Sequence, residues 1–380
     1  MIRSYLSIAP TWNFSAISNQ PFDSSCFFGQ EYAKMLVNYR RISLILGTAL
    51  ILSALFSSPL ALSCTRIVKA APGQDTLVGR NMDWFSDLQT NLWVYPQGLT
   101  HDGGATVNSL SWTAKYGSVV ATAYENAITT DGMNEKGLAA HMLSLAGSNY
   151  GKRDETLPGL SVMLWAQYYL DNFQTVAEAV RFTEANTFQI LPAMDAHTGR
   201  YINLHLALED ATGDSAIIEY TNGSPSIYHS RDYTVLTNSP TYDKQLLNLK
   251  QYQGFDGEKR LPGTTDSLDR FVRATYYTAH LPAPISMRDA VAGVMSVMQN
   301  VAEPYGIASH ERPEITPTVW RVVADLTKRV YYFNAIAGFN TIWIRLDEFK
   351  LQPGAAVMKL DLENNLDLAG DVSGKFVVVS

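Results

Sequence analysis

From residue 64 onward, apolar and polar positions alternate in short runs separated by turn residues, the period-two pattern of half-buried strands. These runs predict strands over 65–70, 76–82, 91–95, 118–124 and 137–145. Pro72-Gly73-Gln74-Asp75 is a turn signal between the first two. Thr130-Asp131-Gly132-Met133-Asn134-Glu135-Lys136-Gly137 has the composition of a turn-rich connection between the last two. The period then lengthens. Val162, Met163, Trp165, Ala166, Tyr169 and Leu170 follow a 3.6-residue spacing and predict a helix over 160–172. A second helix, over 175–183, opens with Thr175 and Glu178 at capping-box spacing. Alternation returns over 201–208, 215–220, 226–229 and 234–236. Helical spacing recurs over 267–280 and over 286–299, the latter with Ser286 as cap. Strands follow at 319–325, 329–333 and 341–346. Strands and helix pairs in this order do not make a doubly wound parallel sheet. They predict antiparallel sheets with helices packed outside, an α+β architecture.

The chain ahead of residue 64 follows a different rule. Arg40-Arg41 precedes an apolar run over 42–56, shorter than the roughly 20 residues of a membrane span. A polar break at Ser57-Ser58-Pro59 and the small-residue stretch Ala61-Leu62-Ser63 complete the form of a secretory signal. Cleavage after Ser63 removes 1–63, leaves 64–380 as a single domain and places the protein in the periplasm or outside the cell. A leader of 63 residues exceeds the usual length of about 15–30, whereas counting from Met35 gives 29. Met35 is therefore the expected start, with 1–34 upstream of it. A lipoprotein signal also ends at cysteine, although it usually carries leucine three residues earlier, where this chain has Ala61. Lipidation would block the thiol and make a non-catalytic envelope protein of the same fold.

Removing the leader takes away Arg3, Lys34, Arg40 and Arg41 together with Asp23 and Glu31, moving the net charge from −7 to −9. An acidic chain without a basic cluster is a poor partner for nucleic acid. Of two cysteines, Cys26 leaves with the leader and Cys64 remains, so no intrachain disulfide can form. A lone thiol in an exported protein needs a reason.

Position supplies one. At a mature N-terminus, Cys64 carries a thiol and a free α-amine whose ordinary pKa is about 7.7–8.0, so the amine can take the thiol's proton. If Gly73-Gln74 centres the first turn, Cys64 pairs with Asp83, a carboxylate suited to holding the α-ammonium. Arg80, on the same returning strand, would favour thiolate. Strict alternation puts Arg80 and Asp83 on opposite faces, so both reach one site only through a bulge or an irregular strand end.

Six stretches then occur in order: Cys64-Thr65-Arg66, Gly79-Arg80-Asn81-Met82-Asp83-Trp84, Asn91-Leu92-Trp93-Val94-Tyr95-Pro96, Asp131-Gly132-Met133-Asn134-Glu135-Lys136-Gly137-Leu138, Thr237-Asn238-Ser239-Pro240 and Asp269-Arg270-Phe271-Val272-Arg273-Ala274. Together they resemble the choloylglycine hydrolase family, the penicillin V acylases and conjugated bile acid hydrolases among the N-terminal-nucleophile hydrolases. The resemblance implies a four-layer αββα sandwich of antiparallel sheets, Cys64 as nucleophile, Arg80 and Asp83 attending the thiol and amine, and Arg270 completing a polar cluster. It implies Asn238 as one oxyanion donor and a backbone N–H at Ser144 or Leu145 as the other. Around that segment the family often has tyrosine or asparagine; Met142-Leu143-Ser144-Leu145 here points to a different pocket. Trp84, Trp93, Met142 and Leu143 are the expected apolar wall for an acyl group. The Asn-Leu-Trp-Val stretch and the tryptophans are most similar to the Gram-negative penicillin V acylase branch. That branch implies hydrolysis of penicillin V and N-acyl homoserine lactones, with bile salt conjugates as the alternative, no cofactor, and a homotetramer acting on a small-molecule amide.

The seven histidines show no metal-ligand spacing and suit structural roles. Gly-x-Ser-x-Gly, Walker and dinucleotide patterns are absent from the sequence.

Overall fold

Two strands, β1 (Cys64–Lys69) and β2 (Leu77–Asp83), make the hairpin on which the site is built. Gln74 N donates to Ala71 O at 3.0 Å and Gly73 takes φ +74°, so the turn centres on Pro72-Gly73, with proline and glycine where a type II turn wants them. That is one residue earlier than Gly73-Gln74. The strands themselves pair one residue off the expected register, Cys64 with Met82 and not with Asp83.

The structure, a computed structural model, describes residues 63–196, 199–306 and 316–379. The leader expected over 1–63 (Ser63 apart), the start at Met35 and Cys26 lie outside them. Downstream of the hairpin come β3 (Leu92–Tyr95), β4 (Ser118–Ala123), β5 (Ile128–Asn134) and β6 (Ala139–Ser144). Helices α1 (Trp165–Asn172) and α2 (Val176–Glu184) follow, then β7 (Leu204–Glu209), β8 (Ser215–Tyr220), β9 (Pro225–His229) and β10 (Val235–Leu236). Next are α3 (Tyr242–Leu249), α4 (Ser267–His280) and α5 (Met287–Asn300). The chain closes with β11 (Thr318–Asp325), β12 (Val330–Ala335), β13 (Ile342–Arg345), β14 (Met358–Leu360), β15 (Gly370–Asp371) and β16 (Val377–Val378).

These strands form a seven-stranded sheet, β10-β1-β2-β11-β12-β13-β15, and a nine-stranded sheet, β9-β8-β7-β6-β5-β4-β3-β14-β16. All pairs are antiparallel except β13 with β15. Helices α4 and α5 pack on β1, β2 and β11; α1 packs on β5 and β6, and α2 on β8 and β9. The layers run α, β, β, α, as expected. One apolar cluster fills the seam between the sheets and the underside of α4 and α5; a second lies beneath α1 and α2. Gly79 permits the first: a Cβ there would stand 2.8 Å from Met298 Cγ and Val294 Cγ1, so only glycine lets α5 settle on β2. Caps follow the sequence reading. Thr175 Oγ1 accepts from Glu178 N at 3.2 Å and Ser286 Oγ from Asp289 N at 3.1 Å.

Several elements differ from expectation, β14, β15 and β16 among them, which the sequence reading did not include. The stretch 130–134 is strand, not turn. Asn134 turns its side chain inward, donating to Leu170 O and Phe173 O at 2.8 Å and accepting from Lys136 N and Leu138 N, so the turn shrinks to Glu135-Lys136-Gly137. The helix expected over 160–172 begins as a strand, Gly159–Ser161, and a 3-10 turn. Helix α3 was not foreseen: its N-cap Thr241 makes no side-chain cap bond, which leaves little start signal.

Candidate active site

Cys64 is the first residue of β1 and lies buried where the sheets face each other. Its register partner Met82 meets it sulfur to sulfur at 3.8 Å. Because Cys64 opposes Met82, Arg80 shares its face of the hairpin without any irregularity. Arg80 Nη2 lies 3.9 Å from Cys64 Sγ and donates to Met142 O at 2.5 Å. The guanidinium rests 4.9 Å over Trp320.

Asp83 lies on the opposite face of β2 from Arg80, as alternation requires, on the side of Arg270 and Glu303 and beside the neighbouring strand. Thr318 pairs with Asp83 and Trp320 with Met82, so β11 bulges between them. Thr318 Oγ1 donates to Asp83 Oδ1 at 2.5 Å, while Oδ2 has no hydrogen-bond partner. Burial pushes the Asp83 carboxyl up to about 7, against the pull of Arg270, and nearby Glu303 adds to the rise. The backbone N–H of Asp83 faces the thiol.

Asn238 follows β10, and Arg270 lies in the first turn of α4; both are buried. In this chain Cys64 N is a peptide nitrogen preceded by Ser63, and it donates to Asn238 Oδ1. Asn238 Nδ2 donates to Ser144 O at 3.0 Å. Arg270 donates to Cys64 O and Thr65 Oγ1 at 2.6 Å, to Asn238 Oδ1 at 3.0 Å and to Thr265 O at 2.8 Å. Glu303, unforeseen from sequence, stands 3.8 Å from Arg270 Nε. Burial raises the Cys64 thiol above its usual pKa, with Arg80 the largest opposing influence. The five polar residues singled out in the sequence thus converge on one point.

The expected pocket wall divides. A small apolar pocket of about 50 Å³ opens at Cys64 and is bordered by Trp84, Met142 and Ser144. Trp93 and Leu143 do not line it. Trp93 packs beneath α1, because alternation along β3 sends Leu92 and Val94 into the seam; Leu143 is sealed within the seam. Met82, Leu88, Ala123, Ile128, Ile202 and Leu204 supply the rest of the wall. Nor is Leu145 N–H free for an oxyanion, since it donates to Asn203 O at 3.0 Å. Among the described residues no cluster of His, Cys, Asp or Glu is arranged to hold a metal ion.

Residues 64–368 match the family model of linear amide C–N hydrolases, choloylglycine hydrolase family. The chain belongs to the choloylglycine hydrolase family. It is 40% identical over 365 residues to a penicillin V acylase of Pectobacterium atrosepticum, covering 90% of this chain and 97% of that one. It is 24% identical to a bile salt hydrolase/transferase of Clostridium perfringens, covering 71% of this chain and 88% of the other. The solved structure of a penicillin V acylase from Agrobacterium tumefaciens matches with a TM-score of 0.77 and 43% identity, over 83% of this chain and 98% of that chain. As a member of this family, the protein is an enzyme of linear amide C–N hydrolysis.

Proposed function

We propose that the protein is an exported cysteine-nucleophile acylase that cleaves apolar acyl groups from amine-bearing lactams and lactones, penicillin V and N-acyl homoserine lactones among them. The observation that carries this reading is the placement of Cys64, with Arg80 at its sulfur, Asn238 at its nitrogen and Arg270 at its carbonyl, beside an apolar pocket. Removal of the leader converts Cys64 N into an amine held by Asn238 Oδ1. That amine takes the thiol proton, and the thiolate attacks the amide carbon. Negative charge on the former carbonyl oxygen is met by Asn238 Nδ2 and the backbone N–H of Ser144. The α-ammonium protonates the departing amine, leaving a thioester. Water, deprotonated by the same amine, releases the acid and restores the thiol. Asp83 and Glu303 balance the ammonium.

The apolar wall suits a hydrophobic acyl group, and the greater identity to a penicillin V acylase than to a bile salt hydrolase/transferase makes bile salt conjugates the weaker substrates. Cys64→Ser is the test: penicillin V hydrolysis should be abolished with the fold retained. Turnover like that of the wild type in this variant sinks the assignment. The mature enzyme is expected to be a homotetramer, which light scattering on the eluting protein would check.

A further inference from the structure

Behind Arg80, away from the thiol, a line of charged side chains crosses the seam between the sheets. Arg80 Nε lies 3.5 Å from Asp131 Oδ2. Asp131 Oδ2 meets His141 Nδ1 at 2.6 Å, and Asp131 Oδ1 accepts from Tyr331 OH at 2.5 Å. His141 Nε2 stands 2.9 Å from Glu209 Oε2, and Glu209 Oε1 stands 2.7 Å from Arg66 Nε. Arg66 ends the line on Tyr233 O and Ser215 Oγ. These side chains come from β1, β2, β5, β6, β7 and β12, and each is at most 1% exposed. Burying so many charges is costly unless their arrangement serves something.

We propose that Asp131, His141 and Tyr331 are positioning residues that hold Arg80 at the thiol while turning Asp131's negative charge away from it. Two short contacts, to His141 and Tyr331, engage the carboxylate, and only a longer one reaches Arg80. Arg80 is thereby anchored without being neutralised, and its Nη2 stays directed at Cys64 Sγ. Burial lowers the affinity of His141 for a proton, but Asp131 and then Glu209 more than reverse this, raising its pKa to about 9. Protonated, it leaves three cations against two anions along the line, a positive surplus that favours thiolate formation.

The inference rests on Cys64 being the nucleophile, so its test reads the thiol directly. The rate of alkylation of the mature enzyme by iodoacetamide is followed against pH in the wild type and in His141→Gln, Asp131→Asn and Tyr331→Phe. Loss of the histidine cation or of the tyrosine hydroxyl returns Asp131's charge to Arg80, so alkylation near neutral pH should slow, roughly three- to tenfold for His141→Gln and less for Tyr331→Phe. Asp131→Asn removes both the tether of Arg80 and the anion that keeps the proton on His141, so it should slow alkylation at least as much as His141→Gln. An alkylation titration unchanged in all three variants, or moved to lower pH by Asp131→Asn, overturns the proposal. Should His141→Gln fail to fold, Tyr331→Phe, which removes a single oxygen, decides alone: an unchanged titration overturns it. If alkylated wild-type enzyme keeps its activity, the failure lies with the nucleophile instead.

Discussion

Arg270 Nη1 donates to the carbonyl oxygen of Cys64 at 2.6 Å, so this arginine grips the backbone of that residue while Arg80 attends its sulfur. One guanidinium serves four acceptors from three segments of chain, a fork that lysine cannot reproduce. Arg270→Lys should therefore cost stability, by about 2 kcal/mol or more for lost charge-assisted bonds, and lower kcat by roughly ten- to a hundredfold. Thermal unfolding and penicillin V kinetics on the same preparation check this. A lowered Tm with unchanged kcat would reduce Arg270 to a structural tie.

Asn238 touches Cys64 N with one end of its amide and Ser144 O with the other. Removing an oxyanion donor typically costs 10²–10³ in kcat, and Asn238→Ala is expected in that range, roughly, with a smaller change in KM. A raised KM at constant kcat would make it a binding residue.

Ala123 borders the acyl pocket from β4 and is almost fully buried. Leucine there fills space that a long acyl chain would use, and each buried methylene is worth about 0.8 kcal/mol. Ala123→Leu should cut kcat/KM for C10 and C12 homoserine lactones far more than for C6. A uniform loss across the series would mean that the chain lies elsewhere.

The proton on His141 predicts the sign of a stability change. Its folded-state pKa of about 9 lies above the ordinary 6.5, so its stabilising contribution is complete below about 6.5 and is lost as pH rises through 9. The wild-type Tm should fall across that window more steeply than that of His141→Gln. Parallel curves would show that the histidine is neutral in the folded protein. Asp83, with its folded pKa raised to about 7, also loses stability as pH rises, but between about 4 and 7, which separates the two in the profile.

The mass of the protein recovered from the periplasm or medium should correspond to a chain beginning at an unmodified Cys64. A retained Ser63 would leave no α-amine beside the thiol, and a diacylglyceryl adduct would place the protein on the membrane as a lipoprotein.

Much of the scaffold was legible because its signals are local. Ser286 and Thr175 announce their helices through cap bonds spanning three residues, and 267–280 keeps its apolar period from end to end. Asp131 was hidden because Asp-Gly-Met-Asn-Glu-Lys-Gly has turn composition, and only tertiary contacts from α1 pull Asn134 inward and extend the strand. Trp93 was misplaced for a different reason. Alternation says that neighbours on β3 face apart, but both sheet faces here are covered by apolar layers, so hydrophobicity does not say which face holds the site. Glu303 and His141 act through contacts with α4, β5 and β7, separations along the chain that no spacing rule reaches.

The hairpin of β1 and β2 carries Cys64, Arg80 and Asp83 on one sheet, whereas Ala123, Ile128, Thr130, Met142 and Leu204 bring most of the acyl wall from the other side of the seam. Chemistry and taste are therefore written on separate pages of the molecule. Drift at the wall positions of β4, at Ile128 and in the segment before β7 can exchange one acyl group for another while the proton-handling apparatus stays untouched. The expectation is that a library confined to those wall positions yields new preferences at undiminished turnover, a route by which one scaffold comes to serve many amides.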